Sequence, residues 1–241
     1  MNEETLKVVC FKWKYTGGYK LPSLKVVGEY TSKYVNRLYH SVERNLTIPH
    51  EFICVTDDPQ GIECKTIPMW DDHRKLGGCY TRLKLFSLEM KDLIGNRFIA
   101  LDLDTVIVGN LDKMFNRKGD FVINKYTTHS HLHKHKNNQY YNGSIIMMDA
   151  GARQHVWKMF DPKTSPLLIQ KNKGLIGTDQ AWISLLLGNS EKMFAERDGV
   201  YRFQLLADKK KLPKNAKLIL FAGKEDPSKR KEIDWVKKNW V

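Results

Sequence analysis

Six short apolar runs, each long enough for one strand, alternate with stretches of helical apolar spacing, and this alternation limits the possible folds more than any other feature. The strand-like runs are "LKVVCFKW" (6–13), "EFICVTDD" (51–58), "RFIALDLD" (97–104), "DFVINKY" (120–126), "SIIMMD" (144–149) and "KLILFAG" (217–223). Between the first two, "EYTSKYVNRLYHSVERNL" (29–46) puts Val35, Leu38, Tyr39, Val42 and Leu46 on one helical face. "TRLKLFSLEMKDLIGN" (81–96) reads as a helix with Thr81 as cap and Gly95 as stop. "TDQAWISLLLGN" (178–189) reads as another, capped by Thr178 and ended by Gly188. Strands alternating with helices predict an α/β fold, a mixed but mainly parallel sheet flanked by helices. In such sheets ligands bind at the carboxyl ends of the strands. Here several strands end in polar residues: "VTDD", "LDLD" and "MMDAG".

The chain has 241 residues, enough for one substantial core. No repeat or low-complexity linker divides it, so 1–227 reads as one domain followed by a basic, aromatic segment, 228–241, packed on it. In that segment Ile233, Val236 and Trp240 share a helical side, which suits packing or, failing that, peripheral contact with an anionic membrane. No run reaches the roughly 18 apolar residues of a membrane helix. The opening "MNEETLKVVCFKW" is acidic and lacks a signal peptide's basic and long apolar regions, so a cytoplasmic location is expected. Lysine and arginine total 40 against 27 acids, a net charge of +13 that favours anionic or phosphorylated partners. The basic residues are scattered apart from "DKKKLPKNAK" (208–217), and no nucleic-acid motif accompanies them, so nucleic acid is not an expected partner. Cys10, Cys54, Cys64 and Cys79 lack CxxC spacing and read as reduced thiols, mostly in apolar surroundings.

"FIALDLDTVIVGNL" (98–111) ends an apolar run in two carboxylates, Asp102 and Asp104. Like charges so close repel, and burying either one unpaired is costly. Residues i and i+2 of an extended chain share a face, so both carboxylates converge on one point. A divalent cation relieves the repulsion, and hard oxygen ligands suit Mg²⁺ or Mn²⁺. The other reading of so short a motif is one aspartate capping a turn and the other in an ion pair.

The surrounding segments resemble the nucleotide-sugar glycosyltransferases of the GT-A fold, especially glycosyltransferase family 8, which includes glycogenin. The likeness spans about residues 7–227 through short motifs in the family's order: "VVCFKW", "YTRLKLF", "FIALDLDTVIVGNLDKMF", "YNGSIIMMDAG" and "GTDQAW". It implies a transferase that moves a sugar from a nucleoside-diphosphate donor, UDP-sugar favoured, with retention of configuration. The acceptor is left open: a glycan, a lipid-linked glycan or a protein. By that resemblance Asp102 and Asp104, with Leu103 between them, hold Mn²⁺ or Mg²⁺ and the donor's diphosphate. Arg82 lies over the sugar or phosphates, and Asn142 and Gly143 border the transferred sugar. Asp179 and Gln180 face the anomeric carbon and, with Asn142, form the catalytic set. Phe11, Lys12 and Tyr15 fall where the family's first loop cradles the base, and Asp57 is a further candidate for base or ribose hydroxyls. A departure lies in "LILFAGKEDP" (218–227), where Leu220 and Ala222 stand in the places of the family's third metal ligand, a histidine. Lys224 remains as a phosphate contact, and Asp226 is a substitute ligand.

Three further readings stay open. "THSHLHKHKNNQYYN" (128–142) carries His129, His131, His133 and His135 at period two and reads first as a polar surface loop, then as an acceptor or phosphate contact, then as a zinc site. "DLDTV" also satisfies the nucleophile pattern of haloacid-dehalogenase-type phosphatases, which place it on their first strand. The missing histidine allows a sugar- or nucleotide-binding protein that has lost turnover.

Overall fold

The computed structural model describes residues 5–14, 30–127, 138–172, 175, 179–222 and 225–241. Its strands are β1 (Leu6–Lys12), β2 (His50–Thr56), β3 (Lys65–Pro68), β4 (Arg97–Leu101), β5 (Thr105–Ile107), β6 (Phe121–Lys125), β7 (Tyr141–Asp149), β8 (Met193–Phe194), β9 (Val200–Arg202) and β10 (Leu218–Leu220). Seven of them form one sheet in the order β3-β2-β1-β4-β7-β6-β8, and the others a small sheet, β5-β10-β9. In the large sheet β1, β2, β3 and β4 run parallel, as do β6 and β8, while β7 is antiparallel to both its neighbours. The expected mixed, mainly parallel α/β architecture is therefore present.

Burial on both faces explains why the central strands read as unbroken apolar runs. Along β1, Val8 and Cys10 face the helix Ser32–Asn45 through Val35, Leu38 and Val42. Val9 and Phe11 face the opposite layer with Trp70, Leu83 and Trp182. A third cluster fills the space under the small sheet, where Phe203 stacks on Phe221 beside Ile219, Ile233, Trp235 and Trp240. Trp235 and Trp240 are thus buried, and the Trp235 indole N–H donates to the Lys209 carbonyl at 2.8 Å. Among the described residues no helix is long and apolar enough to cross a membrane. All four cysteines are free, with Cys10 and Cys54 buried side by side across β1 and β2.

Three local expectations need correction. The segment 81–96 is not one helix: a 3₁₀ helix covers Gly78–Phe86 and a single α-turn covers Met90–Leu93. Packing overrides propensity, because Tyr80, Thr81, Leu83, Leu85 and Phe86 are buried and the Thr81 carbonyl is taken by the Trp70 indole N–H at 3.0 Å. The run 97–104 stops being a strand at Leu101. The strand expected at 144–149 instead starts at Tyr141 and pairs Ile145 with Leu101, so its first residues arrive beside the carboxyl end of β4.

The small sheet depends on a close approach at Gly199, whose carbonyl accepts from the amides of Lys217 (2.8 Å) and Leu218 (3.1 Å). Its φ is +87°, and a Cβ there would lie 2.4 Å from the Asn215 carbonyl oxygen. Gly188, at φ +62°, has open space around it. Gly199→Ala should therefore lower the urea midpoint more than Gly188→Ala: the latter costs the left-handed penalty of about 1 kcal/mol, the former adds a backbone clash of about 2 kcal/mol.

Candidate active site

The end of β4 builds the centre of the site. The Asp102 amide donates to the Ser144 carbonyl (3.0 Å), and the Thr105 amide then donates back to the Asp102 carbonyl (3.2 Å), closing a turn. The pair Asp102 and Asp104 therefore lies on this turn and not on an extended strand. The reason is Leu103, which turns into the core at 3% exposure and starts the path into β5. The side chain of Leu103 is thus part of the core, so a contact of this residue with a nucleotide sugar would come from its backbone. The Asp104 carboxylate accepts from the Tyr30 hydroxyl at 3.0 Å.

Arg82, on the 3₁₀ helix, lies between two other carboxylates. Its Nη1 pairs with Asp102, and its Nε and Nη2 donate to Oδ2 of Asp179 at 3.0 and 2.6 Å. Asp179 is the first residue of the helix Asp179–Leu187 and is buried. Gly143 permits the contact, since a Cβ there would lie 2.9 Å from Arg82 Nη2 and 3.3 Å from Asp179 Oδ2. Beside it, Asn142 donates to Gln180 Oε1 (3.0 Å), while its own Oδ1 accepts from the Ser144 amide (2.9 Å) and Asn124 Nδ2 (3.3 Å). Residues from four segments, Arg82, Asp102, Asn142–Gly143 and Asp179–Gln180, thus meet at the carboxyl end of the sheet.

The other sequence-derived candidates are more dispersed. Phe11 and Lys12 close β1 and do not form a loop. The Phe11 ring is buried edge-on to Trp13 and Trp70, yet also borders a small pocket with Arg82, Gly143 and Asp179. Lys12 donates to the Asp58 carboxylate (3.1 Å) and carbonyl (2.9 Å), and the Asp57 carboxylate accepts from the Lys14 amide at 3.1 Å. Asp226 is held by the Tyr34 hydroxyl (2.9 Å) and the Ser228 amide (2.7 Å), so it caps the turn at Pro227–Lys229. Leu220 is core, and the Ala222 carbonyl accepts from Gln204. Tyr15, Lys224 and His129, His131, His133 and His135 lie outside the described residues. Sequence reading missed Tyr30 and Asn124. Asn124 was findable, because it stands at the carboxyl end of the run 120–126.

Burial and neighbouring charges act together on the ionisable groups of the site. Burial opposes the charge on Arg82, but Asp102 and Asp179 outweigh it and hold its pKa well above the usual value. Burial, then the charge of Asp102, pushes the Asp104 carboxyl up to about 8. Burial likewise raises Asp102, against the pull of Arg82. Two hard carboxylates, one kept partly protonated by burial and then by its neighbour's charge, fit a divalent cation. Among the described residues no group of three or more His, Cys, Asp or Glu gathers as a metal shell.

A carboxyl whose pKa is raised on folding binds a proton the unfolded chain has already lost, so it weakens the fold as pH rises from about 4 to about 8. Asp104→Asn should abolish this slope. The variant's Tm should exceed the wild type's at pH 9 and converge with it near pH 4, as read by calorimetry without added metal.

No family model and no curated protein matches the chain. Among solved structures it matches the galactosyltransferase LgtC in complex with donor and acceptor sugar analogs, with a TM-score of 0.57 and 12% identity over 98% of this chain and 96% of that one. An active-site mutant of LgtC matches with a TM-score of 0.55 and 12% identity, over 92% of this chain and 89% of that one. At such identity the likeness is one of fold, and the GT-A architecture expected from the sequence is the architecture of this chain.

Proposed function

We propose that this protein is a glycosyltransferase that moves a sugar from a nucleoside diphosphate, UDP favoured, to a hydroxyl acceptor with retention of configuration. The observation that carries this reading is the Arg82 bridge between Asp102 of the β4 turn and Asp179 at a helix start, in a fold shared with LgtC. Breaking the bond between the anomeric carbon and phosphate leaves positive charge on the sugar and negative charge on the departing diphosphate. Arg82 is a fixed cation able to hold that diphosphate charge. Asp179 and Gln180 would border the sugar, with the Gln180 amide oriented by Asn142. Gly143 supplies backbone without bulk, so the sugar can approach Arg82 closely. A divalent cation held by Asp102 and Asp104 would supply Lewis-acid stabilisation of the leaving group.

The phosphatase alternative expects the aspartate motif on the first strand, whereas here it follows β4, the fourth strand in chain order. No observation favours it.

The test is a thermal-shift screen of UDP and GDP with and without Mn²⁺. A ligand of the native state stabilises it by about 2.7 kcal/mol at a hundredfold excess over its Kd. A Mn²⁺-dependent shift with UDP is expected, and Asp102→Asn and Asp104→Asn should each remove it while leaving the protein folded. Unchanged nucleotide affinity in both variants would overturn the metal assignment. The absence of a shift with any nucleoside diphosphate would overturn the transferase reading.

A further inference from the structure

A second space lies beside the Asn142–Gln180 pair. Successive residues of β7 point to opposite faces of the strand. Gly143 faces Arg82 and Asp179, while Asn142 and Ser144 face a solvent-open cleft. The cleft wall continues through Asn124 and Lys125 at the end of β6, then Glu196, Tyr201 and Arg202 around β9. Asn142 therefore borders the cleft and, through its amide, touches Gln180.

The cleft is cationic. The Arg202 guanidinium is anchored by Nη1 to the Thr127 carbonyl at 2.7 Å, and its buried Nε has no partner among the described residues. Lys125 is exposed, and Glu196 is the one carboxylate among the described residues lining the cleft. An anchored arginine on the wall of a cleft suits an oxyanion, because its planar guanidinium carries several donors and its charge never titrates away. The net charge of +13 would draw such a ligand toward the protein.

We infer that this cleft receives the acceptor, and that the acceptor carries an oxyanion, phosphate or carboxylate, held by Arg202 and Lys125. The inference rests on the transferase reading for the acceptor's role, but not for the binding itself. A hydroxyl of a sugar so anchored would lie beside Asn142, next to the residues proposed to hold the donor.

Calorimetric titration tests it with glucose, glucose 6-phosphate and glucuronate, each with and without UDP and Mn²⁺. At least one anionic sugar should bind tenfold or more tighter than glucose, and the two anionic arms tell phosphate from carboxylate. Arg202→Gln should erase the preference, Arg202→Lys should keep part of it, and Lys125→Gln should weaken it severalfold. UDP binding should be unchanged in all three, which also shows that each variant is folded. If Arg202→Gln does not fold, Lys125→Gln and Arg202→Lys carry the test. Equal binding of glucose and both anionic sugars, or undiminished preference in the folded variants, would overturn the inference and leave the transferase reading intact. Anion preference without binding of any nucleoside diphosphate would overturn the acceptor role together with the transferase reading, and leave an anion site.

Discussion

Two carboxylates, Asp102 and Asp179, share one cation at the end of the sheet, and the rest of the site depends on that arrangement. Without Arg82 they would face each other as like charges in partly buried surroundings, at a cost of several kcal/mol. With it, segments 20 and 97 residues apart from Arg82 are drawn together: the β4 turn and the start of the helix Asp179–Leu187. The ion triad is therefore structural as well as chemical. Its position is set by the buried 3₁₀ helix, whose apolar side chains hold Arg82 in place from below.

A second set of contacts holds the other carboxylate of the turn. The Tyr30 hydroxyl bonds Asp104, the Tyr30 ring meets Tyr34 at 4.9 Å, and Tyr34 meets Trp240 at 5.1 Å. Arg37 lies 4.0 Å over the face of the same indole. The segment after residue 227 is tied in this way to the neighbourhood of Asp104, although Trp240 and Asp104 are far apart in sequence. Tyr34 also holds Asp226, so two acidic groups are steadied by adjacent tyrosines of one chain segment.

Much of this was legible in the sequence, for a physical reason. Strands buried on both faces must be apolar throughout, so β1, β2 and β4 could be read directly, and the helix at Ser32–Asn45 declared itself by its spacing. Short strands such as β3, β8 and β9 have too few residues to carry a period. The helix expected over 81–96 failed because helical spacing and burial on nearly every side look alike in one dimension. The site was legible as far as polar residues at a strand end mark it, Asp102 and Asp104, while Asn142 and Asp179 were candidates through the family resemblance. What could not be read was pairing. Nothing in the order of residues says that Arg82 bridges two aspartates, that Tyr30 takes an oxygen of Asp104, or that Leu103 faces inward and converts a strand into a turn.

That turn is also a joint. β4 belongs to the large sheet and β5 to the small one, and Asp102, Leu103 and Asp104 are the only covalent link between these two strands. The chain crosses between the sheets again after β5 and before β9, and Ile107, Val200 and Leu218 of the small sheet share one apolar cluster with Val8, Ile99 and Met147 of the large one. The spacing of the two carboxylates is thereby set by the packing of one sheet against the other. An ion on the aspartates would therefore meet two carboxylates that the junction of the sheets holds in place.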